Sequence, residues 1–183
     1  WGYSNRNHYY CRNDIIMNIN ETPEQEYERL YLEIHKLCIE NGWGDPSSFA
    51  VSREIFIANT LGHKKAPTYS GADAIDEDGE CEYKSTIGKN INGTYNGISV
   101  QPTWEEQIEY LRKEKIGKYK NHYIVRFSNG KIVECYRLNC NDILDILLPK
   151  LKRSYFKNHS KKDPRLGASV CKTEIYKYGE RLI

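Results

Sequence analysis

Asp73, followed after eight intervening residues by Glu82-Tyr83-Lys84, puts two carboxylates and an ammonium within reach of one another. In an extended strand Glu82 and Lys84 lie two apart and point to one face, while Tyr83 points to the other. Asp78-Gly79, a dipeptide that favours tight hairpins, lies between the two runs and would fold Asp73 back beside them. Two converging carboxylates repel, and a hard divalent ion such as Mg²⁺, or Mn²⁺ in its place, relieves that repulsion through oxygen ligands while keeping several waters. Such an ion polarises a phosphodiester and acidifies a bound water, and a neighbouring ammonium orients that water and offsets developing charge. The expected chemistry is hydrolytic phosphoryl transfer, with Asp73 and Glu82 as metal ligands and Lys84 beside the attacking water. Asp76 competes with Asp73, but it is an odd number of residues away, so only one of them can face the site.

Elements that could position these groups are legible along the chain. Thr22-Pro23-Glu24-Gln25 carries the cap, the first-turn proline and the reciprocal Gln of a helix start. Tyr27, Leu30, Tyr31, Ile34, Leu37 and Cys38 then recur at helical spacing as far as Gly42, predicting a helix packed on the core. Ser52 is expected to cap a shorter helix that Gly62 closes. Strands are predicted over 72–76 and 80–86, a Gly/Asn-rich loop over 88–97 with a possible strand from Tyr95 to Val100, and a helix from the Thr103/Glu106 capping box to Glu114. Further strands over 122–127 and 131–138 flank Asn129-Gly130, the strongest hairpin signal in the chain. Asn141 is read as the cap of an apolar helix that Pro149 kinks or ends, and 169–178 as a last strand. The sum is an α/β chain with a central mixed sheet flanked by helices, in which a parallel, right-handed crossover joins the Tyr95 strand to that at His122.

With those residues in place, GADAIDEDGECEYKST resembles the signature of the PD-(D/E)xK nuclease superfamily, and the wider arrangement is similar to its type II restriction endonucleases. Ala72 stands where the family name has proline. The resemblance implies a restriction-endonuclease-like core of order α-β-β-β-α-β, drawn from the helix at Ser52, the hairpin, the Tyr95 strand, the helix at Thr103 and the strand at His122. It covers residues 52–138 at most. It also implies that Asp73 and Glu82 hold the metal, that Lys84 contacts the water, and that Glu54, on the helix before the hairpin, is an extra ligand or accepts from a metal-bound water.

At 183 residues the chain suits one domain, read as a nuclease core with a basic C-terminal segment over 149–183. That segment holds ten Lys or Arg against three acids, while residues 1–58 carry five basic and nine acidic residues. A basic surface is a candidate for phosphate. Lys64 and Lys65 lead into the hairpin and are expected to grip flanking phosphates. Lys89, Asn90, Asn92, Tyr95 and Asn96 follow Lys84 in a loop suited to bases or phosphates. Lys150, Lys152, Arg153, Lys161, Lys162, Arg165 and Lys172 form a second group, with a turn over 163–167 presenting Arg165 and Ser169. Arg165 is the expected specificity residue, because bidentate Arg–guanine pairing is the commonest specific contact.

The six cysteines show no paired metal-binding pattern beyond a lone His8-x-x-Cys11, and Cys38 and Cys135 fall where small buried hydrophobes are wanted, as expected of a reducing cytoplasm. No run nears the roughly 18 apolar residues of a membrane span, and the opening residues lack an export signal. His63 and His122 are read as structural, the tyrosines at 27, 31 and 110 as packing, and acyl-transfer chemistry finds no support. The expected partner is double-stranded DNA cut at a short site by a homodimer. A structure-specific or nicking nuclease would use the same triad, and a binding module with an acidic surface hairpin would use none of it.

Overall fold

The computed structural model describes residues 21–48, 50–67, 71–158 and 165–183. Helix α1 (Pro23–Glu40) begins at the expected capping box, where Gln25 N donates to Thr22 Oγ1 and Thr22 N to Gln25 Oε1. Among the described residues it does not pack on the core. Tyr27, Leu30, Leu32, Ile34, Leu37 and Ile39 are exposed, and only Cys38 is buried. Helix α2 (Val51–Leu61) starts one residue before Ser52, whose hydroxyl donates to Pro46 O at 2.7 Å, and ends at left-handed Gly62 (φ 72°).

Six strands form the central sheet in the order β1 (Lys64–Lys65), β2 (Ala74–Asp76), β3 (Gly79–Thr86), β5 (Asn121–Ser128), β6 (Lys131–Asn139), β8 (Glu180–Arg181). All neighbours are antiparallel except β3 and β5, which run parallel, so the sheet is mixed. Strand β5 is buried on both faces from Asn121 to Val125, with the apolar run Tyr123-Ile124-Val125 at its centre. Asn129 (φ 48°) and Gly130 (φ 71°) both take the left-handed conformation that the tight β5–β6 hairpin demands.

Strand β4 (Gly93–Ser99) begins inside the expected loop, and it joins neither β3 nor β5. It pairs with β7 (Arg165–Val170) as a separate two-stranded ribbon. The parallel crossover therefore leaves from β3, not from the Tyr95 strand. The third strand next to the hairpin is β1, and α-β-β-β-α-β is met by α2, β1, β2, β3, α3 (Trp104–Tyr110), β5 only when β4, which lies between β3 and α3 in the chain, is set aside with its ribbon.

The ends of the chain also depart from expectation. Helix α4 (Cys140–Asn158) follows β6 without a loop, and Asn139 rather than Asn141 caps it by accepting from Asp142 N at 3.0 Å. Pro149 does not end it. Pro149 and Asp145, whose carbonyl loses its helical donor, are both on the exposed side, while Leu147 and Leu151 anchor the helix on either side with no exposure at all. The run 169–178 is split: β7 stops at Val170 and α5 (Lys172–Tyr178) takes over, with Cys171 N donating to Glu174 Oε2. Lys161, Lys162 and the first two residues of the expected 163–167 turn lie outside the described residues, as does the His8/Cys11 pair, while Arg165 to Gly167 belong to β7.

Two apolar layers flank the sheet. Ile57 and Ala58 of α2 pack against Ala74, Cys81, Tyr83, Tyr123, Val125, Phe127 and Cys135. On the other face Ile124, Tyr136 and Leu138 meet α3, α4, α5 and the β4–β7 ribbon through Leu111, Leu147, Val170 and Ile175. The described cysteines are free thiols, and among the described residues no helix is long and apolar enough to cross a membrane.

Candidate active site

The β2–β3 register decides where the acids sit. Its pairs are Asp76 with Gly79, Ile75 with Glu80 and Ala74 with Cys81, which leaves Asp73, just before β2, opposite Glu82. Asp73 N donates to Cys81 O at 3.1 Å and Tyr83 N donates to Asp73 Oδ2 at 2.7 Å, so the carboxyl is held by the backbone of the strand that carries Glu82 and Lys84. Lys84 Nζ pairs with Glu82 Oε1. Asp76 points the other way: its Oδ2 accepts from Tyr123 Oη at 2.8 Å and from Asn121 Nδ2 at 2.9 Å.

The acidic turn also has a mechanical role that its composition alone does not announce. Asp78 pairs with Lys120 and accepts from Asn121, and Glu77 pairs with Arg137 at 3.0 Å. These contacts tie the hairpin tip to β5 and β6 and so fix the register on which Asp73 depends.

Asp73 is pushed up to about 7. Burial is the first cause; the charges of Glu82 and then Glu54 follow, against the opposing influence of the Tyr83 N–H and Lys84. Glu82 and Glu54 therefore both act on Asp73. Glu54 is nonetheless engaged elsewhere, paired with Lys65 at 3.2 Å in a contact where Lys65 is only 7% exposed. Lys65 is thus not presented to a phosphate.

Glu82 and Lys84 open onto a cavity of about 420 Å³, shared with Tyr95, Asn96 and His122 and with the segment after α3. Tyr95 is buried and cannot read a base. Its hydroxyl meets His122 Nδ1 at 3.0 Å, and its ring lies 5.1 Å from Lys84 Nζ. His122, 1% exposed, has its Nε2 at 2.9 Å from Ile116 O, a contact that requires a proton on Nε2 and leaves Nδ1 to accept from Tyr95. Burial, ahead of all else, lowers His122 to about 4, so it is neutral at physiological pH. Lys84 is in this way backed by a ring fixed through a neutral histidine. The expectation of a structural His122 agrees with this; its link to Lys84 has no sequence signal, because the contacts are remote in sequence.

Strand β4 reaches this position because Gly93 lies on the sheet. A Cβ there would fall 2.7 Å from Ile124 Cδ1. The acceptor for His122 comes from a π-turn over Leu111–Lys115, which closes with Gly117 N donating to Leu111 O at 3.0 Å. Gly117 is required for that approach, since a Cβ would sit 2.2 Å from Arg112 O. Such π-turns concentrate at functional sites. Tyr119, buried just beyond, is pushed up to about 12 by burial and then by Glu82.

The remaining expected contact residues scatter. Asn96 is exposed at the cavity rim. Lys89, Asn90 and Asn92 are exposed on the β3–β4 connection. Lys64 faces a shallow depression with Asp76, Tyr123 and Arg137, away from Glu82 and Lys84. Arg165 opens β7 opposite Ser99, and exposed Lys172 lies 5.2 Å over Tyr176. Lys150 is taken by Glu174 at 2.6 Å. His63 Nδ1 meets Tyr83 Oη at 2.7 Å, a packing role, whereas Tyr27 is exposed rather than packed.

Comparison with protein-family models and with curated proteins returns no match. Among the described residues no three His, Cys, Asp or Glu side chains already form a ligand set. The donors that do converge are carboxylate oxygens alone, a chemistry suited to Mg²⁺ or Mn²⁺ and not to softer metals.

Proposed function

We propose that the chain is a divalent-metal-dependent endonuclease of double-stranded DNA, of the PD-(D/E)xK kind and acting at a short specific site as a homodimer. The observation that carries the proposal is the β2–β3 register, which sets Asp73 opposite Glu82 with Lys84 next on the same strand face. Among the elements of the central sheet, the order α2, β1, β2, β3, α3, β5, without the ribbon strand β4, supports the same reading.

Asp73 and Glu82 would hold the ion, with Glu54 within electrostatic reach; two carboxylates are as many as Mg²⁺ commonly takes from a protein when water and substrate phosphate complete its shell. When bound, the ion supplies Lewis-acid polarisation of the phosphodiester and an acidified water. The protein's own groups do the rest. Lys84 presents its ammonium to the cavity, where it orients the nucleophilic water and offsets charge on the phosphorane-like transition state. Tyr95 and neutral His122 hold that ammonium without competing for its charge. The Tyr83 N–H fixes the Asp73 carboxyl against rotation.

Incubation of purified protein with plasmid and long linear DNA in Mg²⁺ tests the proposal. Cleavage is expected, with discrete bands from a specific site; a smear would mean cutting without sequence readout, and relaxed plasmid beside intact linear DNA would point to the nicking alternative. Lys84→Ala and Asp73→Ala should lose cleavage by 10²-fold or more, the order expected for removing an electrostatic or metal-binding group. Equal cleavage by all three proteins would end the assignment.

A further inference from the structure

The wall of the cavity facing Glu82 and Lys84 is made by the π-turn and its exit, and it presents Glu114, Lys115, Ile116, Lys118 and Tyr119. Lys115 and Lys118 are exposed, and neither makes an ion pair among the described residues. Their ammoniums rest instead near aromatic rings, Lys115 Nζ at 5.9 Å from Tyr110 and Lys118 Nζ at 5.3 Å from Tyr119. Neighbouring lysines behave differently: Lys113 pairs with Glu109 and Lys120 with Asp78. Glu114, the one acid on this wall, acts on Lys113.

The path of this segment is dictated by sterics rather than left to a loose loop. Gly117 closes the π-turn against Leu111 O, buried Ile116 gives its carbonyl to His122, and Tyr119 buries its ring, so Lys115 and Lys118 are carried on fixed backbone across the cavity from the acids. Rings beneath an ammonium leave its protons free for a second, harder acceptor, and an aromatic face binds a cation by only about 0.5–1 kcal/mol at an exposed site. A phosphate oxygen is the stronger partner.

We infer that Lys115 and Lys118 form a phosphate-binding subsite of the same cavity, which takes the backbone phosphate next to the one presented to Glu82 and Lys84. The inference rests on the nuclease reading. The ligand class is the sugar–phosphate backbone of nucleic acid, recognised without regard to base. One strand of the substrate then passes between an acidic wall and a basic wall, and the basic wall sets its direction through the site.

The test measures binding of a fluorescein-labelled DNA duplex by anisotropy in Ca²⁺ over a range of salt, beside cleavage kinetics in Mg²⁺. Lys115→Ala/Lys118→Ala should lower the slope of log K against log salt by about 1.8, from two phosphate contacts at about 0.9 each, and raise KM about tenfold. Lys115→Arg/Lys118→Arg should restore the slope. Both residues are exposed, so thermal melting of the double variant should match the parent. A wild type that cleaves while Lys84→Ala does not, together with an unchanged slope and KM in the double alanine variant, overturns the subsite and leaves the nuclease reading standing. A wild type that neither binds nor cleaves DNA overturns both.

Discussion

Asp73→Asn in the metal-free protein should raise stability while destroying activity. The amide keeps an acceptor oxygen for the Tyr83 N–H and keeps the side-chain volume; only the ability to ionise is lost. The carboxyl titrates at about 7 in the fold, against 3.8 ordinarily, because burial and the charges of Glu82 and Glu54 disfavour its anion. A raised folded value means that the native state holds the proton more tightly. Below pH 3.8 both states are protonated and Asp73 costs nothing. Between pH 3.8 and 7 the unfolded chain ionises freely and the folded one does not, so native stability falls, and above pH 7 the loss is complete. Its ceiling is roughly 4 kcal/mol, at 1.36 kcal/mol per tenfold change in proton affinity. With solvent relaxation around a partly exposed carboxyl, roughly 2–4 kcal/mol is the expected gain for Asn at pH 8, falling below about 1 kcal/mol near pH 4. Urea unfolding of both proteins in chelator at several pH values gives the difference directly, and titrating groups remote from Asp73 cancel in it. A difference that stays flat from pH 4 to 8, or that favours Asp at pH 8, would refute the picture of mutually repelling acids.

Other perturbations report on the scaffold. Gly93→Ala places a Cβ against Ile124, which has no exposed surface, and should cost roughly 1–3 kcal/mol in denaturant unfolding. Adding Ile124→Val should recover part of that loss, and strict additivity of the two would show that the contact is not the cause. His122, lowered to about 4 by burial, makes the unfolded state the better proton acceptor between pH 6.5 and 4. Stability should therefore drop on acidification through that window by up to roughly 3 kcal/mol, and His122→Gln should flatten the drop.

The parts of the fold visible in the sequence are those governed by short-range rules. Capping boxes at Thr22 and Thr103 mark helix starts, and Gly79, which follows a Glu77-Asp78 turn set one residue earlier than the expected Asp78-Gly79, and Asn129-Gly130 take backbone conformations that few other residues supply. The Glu82/Lys84 pairing on one face follows from strand periodicity, and the turn then delivers Asp73. What was illegible depends on partners distant in the chain. Lys64-Lys65 has no apolar pattern and becomes a strand only because Ala74 and Ile75 lie alongside. Gly93 to Gly97 is loop-like in composition, yet pairing with β7 makes it extended. Thr173, Ile175 and Tyr176 favour strands locally, but burial of Ile175 and the Cys171 cap make the segment helical. The apolar spacing of α1 predicted packing that the described residues do not provide. Tyr95 was read as a base-contacting loop residue because nothing nearby announces His122.

The β4–β7 ribbon joins Thr94 to Ser169 and Gly93 to Val170, although 75 residues separate the first pair. During synthesis, Asp73, Glu82 and Lys84 leave the ribosome long before β7 does. A nascent chain then has its acids and lysine before it has the strand that pairs with β4, so the placement of Tyr95 beside Lys84 waits for β7. On the nuclease reading proposed above, that delay works as an interlock written into chain order, and a chain stopped before Arg165 is expected to lack the pairing that holds Tyr95 beside Lys84.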